Sequence, residues 1–267
     1  MPIALRRMCP LFASLLALAL LAGCATRPTQ DDSENDPLEP VNRNTFVLNK
    51  SIDTFLIRPL AVTYRDLVPD VIKTMVSNFL DYIRTPIVLA NDLLQGDFHH
   101  LDITAQRFMQ NTITLGLGDP ATQGGLQAHD ADFGLTLASW GAKEGPYLVI
   151  PVVGPSNVRD GIGLLVDTFL DPITWISRTD SRAWMGYTNM VSRLVVYRAD
   201  SLKDLDQLEA QSLDFYAGMR SLYRQYRDGQ IRANNPKQGG ASPTYYELMS
   251  PALTSDTPIT STSSVEQ

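Results

Sequence analysis

The chain has 267 residues, 44% of them hydrophobic, and a formal net charge of −7 at pH 7. An acidic chain is a poor candidate for binding nucleic acid, because such binding depends on neutralising phosphates with Lys and Arg. Its two cysteines, Cys9 and Cys24, both lie near the N-terminus. The rest of the chain therefore has no thiol for a disulfide, thiolate catalysis or a cysteine zinc site.

The N-terminus has the pattern of a bacterial lipoprotein signal. Arg6 and Arg7 precede an apolar run at 11–22, and the sequence then reads Leu-Ala-Gly-Cys up to Cys24. A basic start, an apolar core and small residues before the cleavage site indicate secretion. The cysteine in that context predicts acylation of Cys24, for example with palmitate; an ordinary signal peptide with a chance cysteine is the alternative. Ala25 in place of Asp favours, by similarity to sorted lipoproteins, the outer membrane.

Composition divides the chain into four parts. Residues 1–23 are the predicted signal peptide and 24–37 a polar, lipidated tether. The folded domain is expected over 38–235. The segment 236–267, rich in Ser, Thr, Pro and Gly, is expected to be a disordered tail. After Cys24 no segment is long enough to span a membrane without a charge or a proline.

The first strong helical pattern covers 71–83. Asp70 is placed to cap it, and Pro86 is expected to interrupt it, leaving a short helix up to Gln95 before Gly96. Such a stripe usually packs into a core, but contact with lipid is the alternative for an anchored protein. The stripe consists of Val71, Ile72, Met75, Val76, Phe79, Leu80 and Ile83.

Further helical patterns follow, and period-2 alternation is scarce, so the predicted fold class is mostly α. These helices cover 98–112 after Asp97, 158–169 after a Ser156 cap and, as two longer helices ending at Gly229, 183–230. Between them, 140–160 reads WGAKEGPYLVIPVVGPSNVRD. An internal proline argues against a buried strand, so we expect a turn-rich loop there.

The usual signatures of catalysis are missing. There is no HExxH, no GxSxG and no phosphate-binding loop, and His99, His100 and His129 lack metal-ligand spacing. Acidic pairs such as Asp130 and Asp132 are usually solvated. We therefore expect a protein without catalytic residues, metal or cofactor.

Several ordered blocks resemble the MlaA/VacJ family of outer-membrane lipoproteins. The blocks are DPLEPVNR (36–43), IRPLAVTYRD (57–66), SNFL (77–80), NDLLQGD (91–97), RFMQNT (107–112), DFGLTLASWG (132–141), GPYLVIPVVGPSNVRDGIG (145–163) and SLDFYAGMRSLYRQYRDG (212–229). The resemblance implies a ring-shaped, amphipathic helical protein embedded in one leaflet, with a central channel and a helical hairpin. It also implies removal of mislocalised phospholipid from the outer leaflet, in association with a trimeric porin, and transfer to the periplasmic carrier MlaC.

Within that picture, the stretch 140–160 becomes the entry to a mobile hairpin. Gly141, Gly145 and Pro146 are the hinge candidates, with tight surface turns as the alternative. Lys143 stands where the family often has a further glycine, which puts the details of the hinge in doubt.

The channel should collect charged side chains, because an Asp or Arg facing hydrocarbon costs about 2.5–3.5 kcal/mol. The channel-lining candidates are Arg159, Asp160 and Asp167, and the gate candidates near the channel are Asn42, Asn49 and Asp53. Simple packing of the gate segment is the alternative. Two rival functions remain open at this point: a structural, porin-associated lipoprotein without a lipid path, and a phospholipase-like enzyme.

Overall fold

The structure is a computed structural model that describes residues 36–234. That part of the chain is mostly α-helical, which confirms the predicted fold class. The predicted signal peptide, Cys24, nearly all of the tether and the tail lie outside the described residues. The helices are α1 (Glu39–Ile52), α2 (Arg58–Leu67), α3 (Asp70–Gln95), α4 (Phe98–Thr112), α5 (Pro120–Gln123), α6 (Phe133–Ser139), α7 (Val158–Leu170), α8 (Pro172–Ile176), α9 (Ala183–Asp200), α10 (Leu202–Gln211) and α11 (Phe215–Ala233), and the strands are β1 (Tyr147–Ile150) and β2 (Gly154–Asn157).

A stretch of π-helix, Asp53–Ile57, joins α1 to α2 without a break. The N–H of Arg58 donates to the carbonyl of Asp53, five residues back instead of four. Pro59 follows and has no N–H to donate, so the helical ladder has to adjust around it. The wider turn lets the helix continue past the proline.

Helix α3 runs through Pro86, so the predicted interruption there is wrong. A proline inside a helix removes a hydrogen bond and costs about 3 kcal/mol. Ile87 and Val88 directly after it are buried, and α3 packs against α4, α6 and α7. These tertiary contacts outweigh the local cost. The helix ends at Gln95, as predicted, with Gly96 in the left-handed region.

Two predicted caps are also wrong. Helix α7 begins after Asn157, whose side chain accepts from the backbone N–H of Asp160 at 2.8 Å, whereas Ser156 lies in β2. Asp70 is the first residue of α3 and pairs with Lys73 at 2.9 Å instead of capping the helix. Helix α4 begins after Asp97, as predicted, and the structure shows that the Asp97 carboxylate caps it by accepting from the N–H of His100 at 3.0 Å.

The region 183–230 contains three helices, α9, α10 and α11, where the sequence predicted two. A short break after Gln211 separates α10 from α11, and Asp214 caps the new helix by accepting from the N–H of Ala217. Gly229 lies inside α11 and is buried, so the helix does not end there.

Residues 147–157 form an antiparallel hairpin, which the patterns did not predict. Val149 lies opposite Pro155, and the N–H of Val149 donates to the side chain of Asn42 at 2.9 Å. That N–H therefore points away from β2, so the pair is a non-hydrogen-bonded one. The missing N–H of Pro155 then interrupts no ladder bond, and Pro151 lies in the connecting turn.

Helices α6 and α7 cross where Gly134 and Gly163 meet. A Cβ added to Gly163 would contact the backbone nitrogen of Gly134 and lie 2.8 Å from its Cα. Only a residue without a side chain allows this approach. The hairpin β1–β2 connects these two crossed helices along the chain.

The described part of the chain places many polar groups inside and large apolar groups outside. Asn91, Asp92 and Thr136 are buried, while Phe55 is 84% exposed and Val71 66% exposed. Ile72, Met75 and Phe79 of the predicted stripe are exposed too, which favours the alternative of lipid contact. Trp140 and Trp175 are also exposed, whereas Tyr147 is buried. Within 36–234 no helix combines the length and apolar character needed to cross a membrane.

The glycine crossing yields a prediction with a matched control on the same helix. Gly163→Ala should destabilise the protein by about 2–3 kcal/mol, because its Cβ overlaps backbone that cannot move aside. Gly161→Ala should be neutral or stabilise by about 0.5–1 kcal/mol, through helix propensity. A Cβ there would make only ordinary contacts, 3.7 Å from Ile150 Cδ1. Thermal unfolding of the purified variants measures both changes in stability. Equal melting temperatures of the two variants would contradict the close approach of Gly163 to Gly134.

Candidate functional site

The guanidinium of Arg227, on α11, binds two carboxylates from different helices. Its Nη1 and Nη2 donate to Asp132 at 2.8 and 3.1 Å. Its Nε and Nη2 donate to Asp160 at 2.9 Å each. Arg227 is only 8% exposed, so these charges are largely removed from water. The group ties α11 to the beginnings of α6 and α7.

Local structure holds both carboxylates in place. Asp132 caps α6 by accepting from the N–H of Leu135 at 2.8 Å. Asp160 accepts from Nε of Arg159 at 2.9 Å and from the hydroxyl of Tyr223 at 2.5 Å. Gly134 leaves room for this arrangement, since a Cβ there would lie 2.6 Å from Asp160 Oδ1.

The pKa values of the aspartates report how their charges are accommodated. Burial opposes ionisation of Asp132 and Asp160, but the charge and hydrogen bonds of Arg227 outweigh it, so each pKa lies below its ordinary value. Asp167, on the same helix as Asp160, has its pKa raised by burial, although it accepts hydrogen bonds from the backbone N–H of Phe133 and the side chain of Asn91.

A cavity of about 490 Å³ lies against this ion network. Its volume is within the range of about 300–1,000 Å³ found for small-molecule sites. The charged and hydroxyl-bearing lining residues are Arg84, Arg193, Arg227, Asp132, Asp160, Asp167, Asp171, Ser156, Thr168, Tyr197, Tyr223 and Tyr226. The apolar ones are Ile87, Val153, Pro155, Leu164, Leu205 and Met219. The cavity is therefore amphipathic.

The three channel-lining candidates fall into two groups. Asp160 and Asp167 line the cavity, whereas Arg159 does not. Arg159 is buried and contacts Asp160, so its position supports the orientation of that carboxylate.

The hinge candidates lie in turns of the segment between α6 and β1. Gly141 has a φ of 89° and follows α6 in a Schellman turn, in which the N–H of Ala142 donates to the carbonyl of Leu137. Gly145 has a φ of 69°, and a Cβ there would lie 3.1 Å from Val158. Pro146 follows, and its carbonyl accepts from the N–H of Val158. The positive φ of each glycine in its turn therefore accounts for the glycine without any hinge motion. Bending at these two glycines stays a prediction.

Two of the gate candidates contact the β-hairpin formed by β1 and β2. Asn42 donates to the carbonyl of Tyr147 at 3.0 Å and accepts from the N–H of Val149. Asn49, two turns further along α1, donates to the carbonyl of Ile150 at 2.9 Å and accepts from the N–H of Val152 at 2.8 Å. Each side-chain amide replaces a peptide group of a neighbouring strand, so α1 covers the free edge of β1.

Asp53 lies apart from that hairpin. It accepts from Nε of Arg198, at 2.9 Å to one oxygen and 3.1 Å to the other, and Arg198 also reaches Asp206 at 3.1 Å. This contact ties the π-helical turn to α9.

Sequence reasoning missed Arg84, Arg193 and Arg227 and dismissed Asp132 as solvated. One signal could have found the wall formed by α11. Its residues recur on one helical face, at the spacing of i, i+4, i+7 and i+8. They are Met219, Tyr223, Tyr226 and Arg227.

Two of the histidines stack on each other away from the cavity. The ring of His129 lies over His100 at a centroid distance of 4.3 Å; His129 pairs with Asp92 at 2.8 Å. Thr104 donates to the same carboxylate at 2.9 Å, so its hydroxyl contacts a carboxylate and not an imidazole, unlike a nucleophile–base pair. Among the residues described, no three His, Cys, Asp or Glu side chains are grouped to hold a metal ion.

The fold and the site define a helical protein with many exposed apolar side chains and an amphipathic, charged cavity. The MlaA lipoprotein family matches residues 34–230. The Intermembrane phospholipid transport system lipoprotein MlaA of Escherichia coli is 34% identical over 226 residues, which cover 82% of this chain and 87% of that protein. Its namesake from Haemophilus influenzae is 28% identical over 238 residues, covering 85% of this chain and 91% of that protein.

A solved structure described as the structural basis for maintenance of bacterial outer membrane lipid asymmetry matches with a TM-score of 0.65 and 32% identity. It covers 73% of this chain and 98% of its own. The chain belongs to the MlaA lipoprotein family.

Two Asp→Asn substitutions on α7, which remove a charge and nearly keep the side-chain shape, give a prediction. Asp160→Asn should destabilise the protein by about 3 kcal/mol at pH 7, because it leaves Arg227 underpaired. Asp167→Asn should change stability by less than about 1 kcal/mol, because it removes a charge that burial disfavours. Chemical unfolding at pH 7 measures both.

The pH dependence of the stability difference between wild type and Asp160→Asn provides a second test. A lowered pKa means that the charge of Asp160 stabilises the fold above the ordinary carboxyl pKa of about 4 and loses that effect as pH falls through the folded value. The difference between wild type and Asp160→Asn should therefore shrink below about pH 4. A difference that is constant with pH would contradict the role of the charge.

The amide contacts of Asn42 give a further prediction. Asn42→Asp removes the donor to Tyr147 and places a second carboxylate beside Asp36, which the amide now contacts at 2.7 Å. We expect a loss of about 3 kcal/mol. Asn44→Asp, at an exposed position of the same helix, should stay within about 0.5 kcal/mol of wild type. Equal effects on the melting temperature would exclude the contact as the cause.

Proposed function

We propose that this chain is an outer-membrane lipoprotein of intermembrane phospholipid transport that maintains lipid asymmetry. It removes mislocalised phospholipid from the outer leaflet and passes it to a periplasmic carrier. The observation that carries this proposal is the amphipathic cavity, present in a member of the MlaA lipoprotein family.

The chemistry of the cavity suits a phospholipid. A charged, hydroxyl-rich wall offers partners to a polar head group, and Leu164 and Leu205 offer contacts to hydrocarbon. Leu164 is exposed, as are Ile162, Leu165 and Phe169 on the same helix. The apolar side of the cavity thus continues onto the outer surface of α7, so acyl chains can stay in an apolar environment while the head group enters.

The exterior supports a position within one leaflet. Exposed apolar side chains on α1, α2 and α3 present hydrocarbon-compatible faces. Acylation of Cys24, outside the described residues, would add about 0.8 kcal/mol for each buried methylene group. We include a trimeric porin and the soluble carrier MlaC among the proposed partners.

We propose transport without catalysis. The relatives named above are transport lipoproteins, and in the described region Thr104 contacts Asp92 instead of a histidine. A scaffold without a lipid path would have no use for a charged cavity that opens towards apolar surface.

The test compares cells that lack this gene with cells that carry the wild type, Cys24→Ala or the control Cys9→Ala. Intact phospholipid and lysophospholipid exposed on the cell surface are quantified. We expect surface phospholipid to rise on deletion, to fall again with wild type or Cys9→Ala, and to stay high with Cys24→Ala, without lysophospholipid in any strain.

Other outcomes identify the rival functions. Lysophospholipid that depends on the protein would establish a phospholipase-like enzyme. Unchanged amounts of both lipids would leave a structural, porin-associated role and overturn the proposal.

A further inference from the structure

Three arginines line the cavity, and one of them differs from the other two. Arg84 pairs with Asp130 at 2.8 Å, and Arg227 pairs with two aspartates. Arg193, on α9, donates instead to two neutral oxygens: Asn189 Oδ1 at 3.1 Å and the backbone carbonyl of Leu80 at 2.7 Å. Among the described side chains, no carboxylate forms an ion pair with Arg193.

The surroundings make this unpaired charge unfavourable. Burial and the nearby charge of Arg84 lower the pKa of Arg193, and Asp81 and Asp171 act on it only through space. The two hydrogen bonds use Nε and Nη2 and leave Nη1. A half-buried cation beside a second cation is stabilised when an anion joins them.

The shape of the group and of the cavity indicates which anion fits. A guanidinium presents parallel N–H donors that match the oxygens of a phosphate. The same cavity has an apolar side that includes Leu164 and Leu205. A phosphate that carries apolar chains satisfies both walls, whereas a free phosphate satisfies only one.

We propose that Arg193 binds the phosphate group of a phospholipid in the cavity, with Arg84 as a second positive charge. The proposal rests on the proposed function and names the group that the cavity recognises. Four aspartates line the same space, so the phosphate is attracted at one position and repelled at others. Such a site holds a lipid briefly and releases it, as a transport path requires.

The test measures binding to the purified, acylated full chain in detergent. The probes are dihexanoylphosphatidylcholine, dihexanoylglycerol, which has the same chains without phosphate, and inorganic phosphate. The variants are Arg193→Gln, Arg193→Lys and the control Arg232→Gln, at an exposed position of α11. Arg193→Gln should weaken binding of the phospholipid at least about tenfold and leave dihexanoylglycerol unchanged. Arg193→Lys keeps the charge but not the parallel donors and should recover only part of the affinity, and Arg232→Gln should bind like wild type.

Each outcome has a distinct meaning. If wild type and Arg193→Gln bind the phospholipid equally, the inference is wrong and the proposed function stands. If wild type binds no phospholipid, both fail. Binding of inorganic phosphate that is as tight and as dependent on Arg193 would identify free phosphate as the ligand and overturn the lipid as its source.

A measurement on the wild type covers the case in which Arg193→Gln does not fold. Phenylglyoxal modifies accessible arginines, and mass spectrometry reports the rate at Arg193. Dihexanoylphosphatidylcholine should slow that rate severalfold, while dihexanoylglycerol should not. Equal rates with both lipids would overturn the proposal.

Discussion

The arrangement of the described chain depends on one buried guanidinium. Arg227 holds Asp132 at the start of α6 and Asp160 at the start of α7, and its own helix comes from the far end of the domain. Removing one partner of such a group leaves a buried charge uncompensated, which costs about 3–5 kcal/mol. The group also needs the small residue at Gly134, because any side chain there would displace the carboxylate.

This interaction explains how many polar and charged residues can be buried. A charge that is fully paired can lie inside, and the polar residues Asn91 and Thr136 extend the network by hydrogen bonding to each other at 2.8 Å. Large apolar side chains then remain for the exterior, as Phe55 and Val71 illustrate. A water-soluble protein would bury such residues, but a protein in contact with lipid gains by exposing them. Because polar and charged side chains are placed inside next to apolar ones, the cavity has both polar and apolar walls.

The sequence predicted the elements that depend on local chemistry. Periodicity located α3, α4 and α7, and the start of α4 after Asp97 and the stop at Gly96 follow from local hydrogen bonding and backbone freedom. Pro86 was misjudged because tertiary packing overrides its local cost. The β-hairpin was missed because its prolines hide the alternation and because its edge is completed by Asn42, about a hundred residues away in the chain.

The site shows the same limit more clearly. Asp160 and Asp167 were predicted from the cost of placing charge against hydrocarbon, and both line the cavity. Arg227 binds carboxylates that lie 67 and 95 residues away, and no local pattern records such a pairing. Arg193 was missed for the opposite reason, since its distinction is the absence of a carboxylate partner among the described residues.

The central claim is that the cavity beside Arg227 holds phospholipid, and photo-crosslinking tests it most directly. Benzoylphenylalanine would replace Leu205, which lines the cavity, or Lys203, an exposed residue of the same helix, in living cells. Our account predicts that mass spectrometry finds phospholipid attached at 205 and not at 203. No lipid at 205, or equal amounts at both positions, would contradict it.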